Sequence, residues 1–276
     1  MYTTDQPRYR GPLKAAIFDW AGTTVDYGCR APAGAFQTLF ARHGAEASIA
    51  QAREPMGMHK RDHIAAMLAM PEIADQWTRR YGGVPSDIDI SNLFEEFIPL
   101  QMAVLPDFLD VIPGVVDAVK VMRARGMKIG ATTGYNEAMM ALCQKAAAAE
   151  GYVPDVSIAV TQVPAGRPAP WMAIQAAMTL EVYPFEAIVK IGDTVTDVQE
   201  GLNAGMWTIA VTRTGNEVGL SREEVDALDA RELAALLHRA TEKLAGAGAH
   251  YVVESVADTL PVLDEIEARL ARGERP

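Results

Sequence analysis

Short, nearly unbroken apolar runs recur along the chain, separated by longer stretches of helical periodicity. The runs are Leu13–Phe18, Met127–Ala131, Val156–Val160, Ala187–Ile191, Trp207–Val211 and Tyr251–Val253. Runs this short, without polar alternation, suit strands of a parallel sheet covered on both faces. Between them, Val115–Arg125 sets Val115, Val116, Val119 and Met122 on one stripe, and Gly126 follows as a C-terminal stop. Asn136 caps an alanine-rich helix running to Ala149. Trp171–Met178, Val195–Ala204 and Val256–Ala271 also read as helices. This alternation predicts an α/β fold, a Rossmann-like open parallel sheet with helices on both faces.

One segment interrupts it. From Gly28 to Asp107 the spacing is helical throughout: Phe36, Leu39 and Phe40 share one face, Ile64, Met67 and Leu68 another, and Leu93, Phe94 and Phe97 a third. Roughly 80 residues is too long for an ordinary crossover. The pattern predicts an inserted α-helical cap domain over 28–107, with 1–27 and 108–276 forming the α/β catalytic core. Glycines and prolines near Gly28 and Pro106 are the expected hinges.

Composition narrows the function. The 276 residues are 49% hydrophobic and carry a formal net charge of -11, which disfavours nucleic acid and anionic membrane as partners. Cys29 and Cys143 stand far apart, in no metal-binding or disulfide pattern. Met1–Arg10 is polar and no apolar run of membrane-spanning length occurs, so a cytoplasmic location is expected.

In open α/β sheets, chemistry collects at the carboxyl ends of the strands. Those ends carry Asp19, Ala21, Gly22, Thr23 and Thr24; Thr132, Thr133 and Gly134; and Gly192, Asp193, Thr194 and Asp197. Arg167 lies between Gly166 and Pro168, ahead of the fourth strand. Asp19 and Asp193 form a hard oxygen site suited to Mg²⁺. Thr133 and adjoining amides can donate to phosphate oxygens, and Arg167 can neutralise their charge. Asp19 is placed to attack phosphorus and form an aspartyl-phosphate.

This set of four motifs resembles the haloacid dehalogenase superfamily, and the helical insertion resembles that superfamily's cap. The resemblance implies Asp19 as nucleophile, Asp193 and the Ala21 carbonyl as Mg²⁺ ligands beside it, and Asp197 as support for the metal site. It also isolates a departure. Phosphatases of the superfamily have a second aspartate where this chain has Ala21, which cannot protonate a leaving alkoxide.

The cap segment Glu54–His63 offers another route, because Lys60 stands there among His59, Arg61 and His63. Neighbouring positive charge and partial burial lower a lysine pKa. A neutral amine condenses with a carbonyl, and an iminium two carbons from phosphorus is an electron sink for P–C cleavage. That fits a small-molecule phosphonate substrate with a β-carbonyl. Pro55-Met56-Gly57, Lys60 and His63, with Phe18–Gly28 and Val163–Pro168, resemble the phosphonoacetaldehyde hydrolase (phosphonatase) family. The resemblance implies Lys60 as the imine-forming residue and His63, Met56, Cys29 and Tyr135 as residues lining or supporting its pocket. It further implies a homodimer built through the cap and a place in 2-aminoethylphosphonate degradation.

Plainer readings stand beside these. A lone lysine such as Lys60 is ordinarily a solvated helix residue. His59 is expected at the surface. His63 serves either a helix-face hydrogen bond or proton transfer, and Tyr135 either the site edge or packing. Cys29 and Met56 are ordinarily core residues. The competing functions are a phosphate-ester phosphatase or phosphomutase of the same superfamily, and a non-catalytic binding protein on the same fold.

Overall fold

The computed structural model describes residues 8–276. Most of the polar segment Met1–Arg10 lies outside the described residues. Six parallel strands form one sheet in the order β3-β2-β1-β4-β5-β6. They are β1 (Ala15–Phe18), β2 (Lys128–Thr133), β3 (Val156–Ala159), β4 (Ile188–Gly192), β5 (Trp207–Val211) and β6 (Tyr251–Val253). Every residue of β1, β4 and β5 is buried, as expected of apolar runs covered on two faces. Strand β1 is central: Ala15 pairs with Lys128 on one side and Ile188 on the other. Strand order reverses beside β1, and this switch point opens a crevice at the carboxyl ends of β1, β2 and β4.

Between β1 and β2 run α1 (Arg30–Arg42), α2 (Ile49–Arg53), α3 (Lys60–Leu68), α4 (Pro71–Tyr81), α5 (Asp87–Val104) and α6 (Val115–Ala124). Helices α1–α5 close on their own apolar cluster, in which Phe36, Leu39, Phe40, Ile64, Met67, Leu93 and Phe97 are buried. Capping boxes at Ser48/Gln51 and Ser86/Asp89 start α2 and α5. Then follow α7 (Glu137–Ala149), α8 (Trp171–Thr179), α9 (Val195–Asn203), α10 (Arg222–Ala227), α11 (Ala230–Gly246) and α12 (Thr259–Ala271). The Asn136 side chain accepts from the Met139 N–H at 2.9 Å, the expected cap of α7.

Several bounds differ from expectation. Strand β2 extends through Thr133, because Thr132 and Thr133 still pair with Ile158 and Ala159 of β3. Residues 256–258 form a separate 3₁₀ turn before α12. Helix α11 is an addition to the expected elements, although Leu233, Leu236, Leu237, Ala240 and Leu244 have helical spacing. Among the described residues, no helix is long and apolar enough to cross a membrane.

Candidate active site

The crevice carries three buried carboxylates, Asp19 after β1 and Asp193 and Asp197 after β4, with oxygens within 4.8 Å of one another. Asp19 Oδ1 accepts from Arg167 at 2.7 Å. Burial pushes the Asp19 carboxyl up to about 6, Asp197 adds to the rise, and Arg167 and Lys190 oppose it. Asp193 accepts from the Thr23 hydroxyl at 3.0 Å and from the Asn216 N–H at 2.8 Å. Burial, then Asp19 and Asp197, hold its carboxyl well above the usual range. Gly22, in the left-handed region at φ 85°, lets the β1 loop pass directly over Asp193; a Cβ there would collide with Asp193 Oδ2.

Asp197 sits behind this pair. Its Oδ2 accepts from Thr194 at 2.6 Å, and its Oδ1 accepts from Lys190 at 2.6 Å and faces Arg167 at 3.1 Å. Burial pushes its carboxyl up, but Arg167 and Lys190 together outweigh that and hold it low. Arg167 is itself fully enclosed: Nε donates to Glu200 at 2.8 Å, and NH2 donates to the Thr132 hydroxyl at 2.8 Å and the Thr132 carbonyl at 3.1 Å. Burial disfavours its charge, but Asp19, Asp197 and Glu200 keep it protonated.

These residues fit a divalent cation. Four carboxylates, Asp19, Asp193, Asp197 and Glu200, and two basic side chains, Arg167 and Lys190, are buried here; the basic pair meets Asp19, Asp197 and Glu200, and Asp193 has no ion-pair partner among the described residues. The two excess negative charges match one Mg²⁺, and the oxygen-only donor set is the kind that ion takes.

Lys60 reaches the same crevice from the N-terminus of α3. It is 4% exposed, and its Nζ lies 3.9 Å from Met56 Sδ and 5.4–5.5 Å from the ring centroids of Tyr135 and Phe36. No carboxylate pairs with it among the described residues. Burial lowers its pKa to about 8, against the pull of Cys29 and Asp19. Burial, one of the two expected causes, is the main one, and the cation that adds to it is Arg167 rather than a neighbour in sequence. Arg61 turns away to Asp87 at 3.3 Å. His59, expected at the surface, is half-buried with its ring 5.4 Å from that of Phe94.

His63 is buried and stacked on Phe36 at 3.8 Å. Its Nε2 donates to the Ala52 carbonyl at 3.0 Å, which places the hydrogen on Nε2. Burial, then Lys60, holds its pKa well below the usual value, so Nδ1 keeps a lone pair, buried and without a partner. The helix-face bond and an open proton acceptor therefore coexist in one ring. The Tyr135 hydroxyl is likewise buried without a partner. Thr133 Oγ1 accepts from the Tyr135 N–H at 3.1 Å, leaving its own hydrogen to donate. Gly134 lies beneath the carbonyls of Gly57 and Met58.

One cavity joins these groups. Asp19, Ala21, Cys29, Met56, Lys60, Thr133, Gly134, Tyr135 and Arg167 line it. It offers about 20 Å³ to the centre of a water molecule, room for about one water, so this conformation does not hold a substrate of several heavy atoms. Asp193, Asp197 and His63 do not line it. Sequence reasoning missed Lys190, Glu200, Asn216 and Arg53. A lysine inside an apolar strand, and a glutamate one helical turn after Asp197, were the available signals for the first two.

The family model of haloacid dehalogenase-like hydrolases matches residues 13–205, and a second, HAD-hydrolase-like model matches 164–259. A phosphonoacetaldehyde hydrolase of Nitratidesulfovibrio vulgaris is 47% identical over 268 residues, covering 97% of this chain and 96% of its own. One from Bacillus cereus is 44% identical over 92% of this chain and 97% of its own. The crystal structure of a phosphonoacetaldehyde hydrolase-like protein from Oleispira antarctica superposes with a TM-score of 0.97 at 42% identity, covering all of both chains. The chain is a haloacid dehalogenase-like hydrolase, and within that class it belongs to the phosphonoacetaldehyde hydrolase family.

Proposed function

We propose that this chain hydrolyses the carbon–phosphorus bond of phosphonoacetaldehyde to acetaldehyde and phosphate. One observation carries the reading: a single small cavity is lined by both the Lys60 amine, which has no carboxylate partner among the described residues, and the Asp19 carboxylate, with Ala21 where an acid would otherwise stand. Neutral Lys60 adds to the aldehyde carbon, and loss of water leaves an iminium. The open Nδ1 of His63 relays the proton that nitrogen loses on addition to the carbinolamine oxygen, and one further proton from solvent lets that hydroxyl leave as water. Asp19 attacks phosphorus, and the electron pair of the P–C bond passes into an enamine, so no acid is needed at position 21. Protonation of the enamine at carbon and hydrolysis of the iminium release acetaldehyde, and a second water hydrolyses the aspartyl-phosphate.

Arg167, the Thr133 hydroxyl and the Gly134 N–H receive the phosphoryl oxygens. Asp19, the Ala21 carbonyl and Asp193 would hold Mg²⁺, with Asp197 anchoring the site from behind. When bound, the ion neutralises charge between nucleophile and phosphoryl group, allowing two anions to approach. Met56, Cys29 and Tyr135 keep water from the imine. The same reading includes a homodimer through the cap, for which the exposed Tyr81, Val84 and Ile88 offer apolar surface, and a role in degrading 2-aminoethylphosphonate.

The test is acetaldehyde release from phosphonoacetaldehyde, coupled to alcohol dehydrogenase and NADH. Release abolished by a chelator and by Lys60→Ala supports the reading. Release that survives Lys60→Ala, or turnover confined to phosphate esters, overturns it.

A further inference from the structure

Arg53, at the C-terminal end of α2, makes polar contacts that none of the chemistry above uses. Its NH1 donates to the Gly28 carbonyl at 2.7 Å and to Asn216 Oδ1 at 3.2 Å, and its NH2 donates to the Gly219 carbonyl at 2.7 Å. Asn216 Nδ2 returns a bond to the Arg53 carbonyl at 3.1 Å. One guanidinium thus ties the cap segment to the hinge at Gly28 and to the loop that follows β5. Room for it exists only because position 219 is glycine: at φ 69°, a Cβ would stand 2.6 Å from Arg53 Cζ.

That core loop is itself fixed to the catalytic carboxylates. The Asn216 N–H donates to Asp193 Oδ2 at 2.8 Å, the Thr214 hydroxyl to the Gly22 carbonyl at 2.9 Å, and the Gly28 N–H to the Thr214 carbonyl at 2.7 Å. On the cap side, Arg53 stands three residues before Met56 and seven before Lys60. The intervening loop is seated on the core by the Thr196 hydroxyl, which donates to the Met56 carbonyl at 3.3 Å. Whatever holds Arg53 therefore sets where Lys60 stands relative to Asp19. Opening the cap by rotation at Gly28 has to break the Arg53 bonds to Asn216 and Gly219.

We propose that Arg53, clasped reciprocally by Asn216, is the positioning residue that seats the closed cap and registers Lys60 over the Asp19–Asp193 carboxylates. Lysine cannot replace it, because a point charge cannot reach the Gly28, Asn216 and Gly219 acceptors together. The clasp lies outside the cavity and touches no reacting atom. Its effect is on closure, hence on the desolvation of Lys60 and on the approach of iminium to nucleophile.

The inference rests on the imine reading of Lys60, and its test separates the two. Full-length wild type, Arg53→Lys, Asn216→Ala and the double variant are compared in three measurements. These are phosphonoacetaldehyde turnover, trapping of Lys60 by acetaldehyde with borohydride across a pH series, and thermal unfolding. Trapping joins the aldehyde carbon to Nζ with loss of water, and hydride reduces the imine to a secondary amine read by mass. The expected result for Arg53→Lys is a loss of about tenfold or more in kcat. Half-maximal trapping should move upward by about a pH unit, as a loosened cap lets water reach Lys60. The double variant should be little worse than Arg53→Lys alone, because both changes break one clasp. A lowered Tm with unchanged kcat and an unchanged trapping profile would make Arg53 structural and overturn the inference. Wild type that traps acetaldehyde without cleaving the phosphonate would overturn the substrate reading, and the trapping profiles alone would then decide Arg53. Wild type that traps nothing would overturn both.

Discussion

The Nζ of Lys60 lies 3.9 Å from the Sδ of Met56, four residues earlier in the chain. A thioether is a weak acceptor and does little to hold a proton on an amine. The other groups facing Lys60 are the Phe36 and Tyr135 rings, Cys29, Asp19, Asp26 and Arg167. Burial dominates this balance and sets the amine near 8 rather than 10.5. At pH 7 that leaves roughly a tenth of the amine neutral, about three-hundredfold more than an ordinary lysine. Borohydride trapping of Lys60 with a small aldehyde should therefore rise through a midpoint near pH 8. A midpoint near 10.5 would show that Lys60 is solvated.

The same burial has a consequence for stability. The folded-state pKa of Lys60 is depressed, so between about pH 8 and 10.5 the unfolded chain binds the extra proton and stability rises with pH. Below pH 8 the penalty is present in full, roughly 3 kcal/mol; above 10.5 it vanishes. Lys60→Met, which fills similar space without charge, should abolish turnover yet raise stability at pH 7 by up to about that amount. The gain should fade as pH approaches 10.5. Urea unfolding at pH 7 and pH 10 measures it, and a less stable Lys60→Met at pH 7 would contradict the argument.

The fold and the first ring of the site were legible in the sequence because each rests on local pattern. The apolar runs gave the strands, and the polar residues at their ends converge because parallel strands all end on one side. Lys60 and Asp19 needed a motif to be paired, since no spacing announces a contact across the cap. Glu200 and Lys190 were hidden for a different reason. Each is a charge inside an apolar setting, and its partner, Arg167, arrives from another loop. Arg53 left no signal, because its acceptors are mainly backbone carbonyls, which every residue possesses. His59 misled because a polar neighbourhood in sequence was read as solvent, when Phe94 covers part of its ring.

Glu200 meets the Arg167 Nε at 2.8 Å, the Thr132 hydroxyl at 3.2 Å and Lys190 at 3.5 Å, all within the core. Glu200→Gln keeps the shape and an acceptor oxygen but leaves two buried cations with one anion fewer. Removing one partner of a buried charge set costs roughly 3 kcal/mol. Arg167 keeps only a neutral acceptor for its Nε–H, so its guanidinium is held less firmly, inorganic phosphate should inhibit more weakly and substrate KM should rise. Denaturant unfolding and phosphate inhibition together test this. Wild-type values in both would show that Glu200 does not hold Arg167.

Asp193 gives the sharpest test of the metal reading, because one substitution should act with opposite sign in two conditions. Without Mg²⁺, the buried Asp193 carboxylate is opposed by Asp19 and Asp197, and only Thr23 and the Asn216 N–H offset this. Asp193→Asn removes that repulsion, so in chelator the variant should be at least as stable as wild type. With Mg²⁺ at a hundred times its Kd, wild type gains about 2.7 kcal/mol by mass action. The variant, deprived of a ligand charge, should gain little. The two Tm values should therefore cross between chelator and saturating Mg²⁺. A wild-type Tm indifferent to Mg²⁺ would mean that the excess negative charge of the site is balanced by protons instead, and that the Asp19–Asp193 pair is not a Mg²⁺ site.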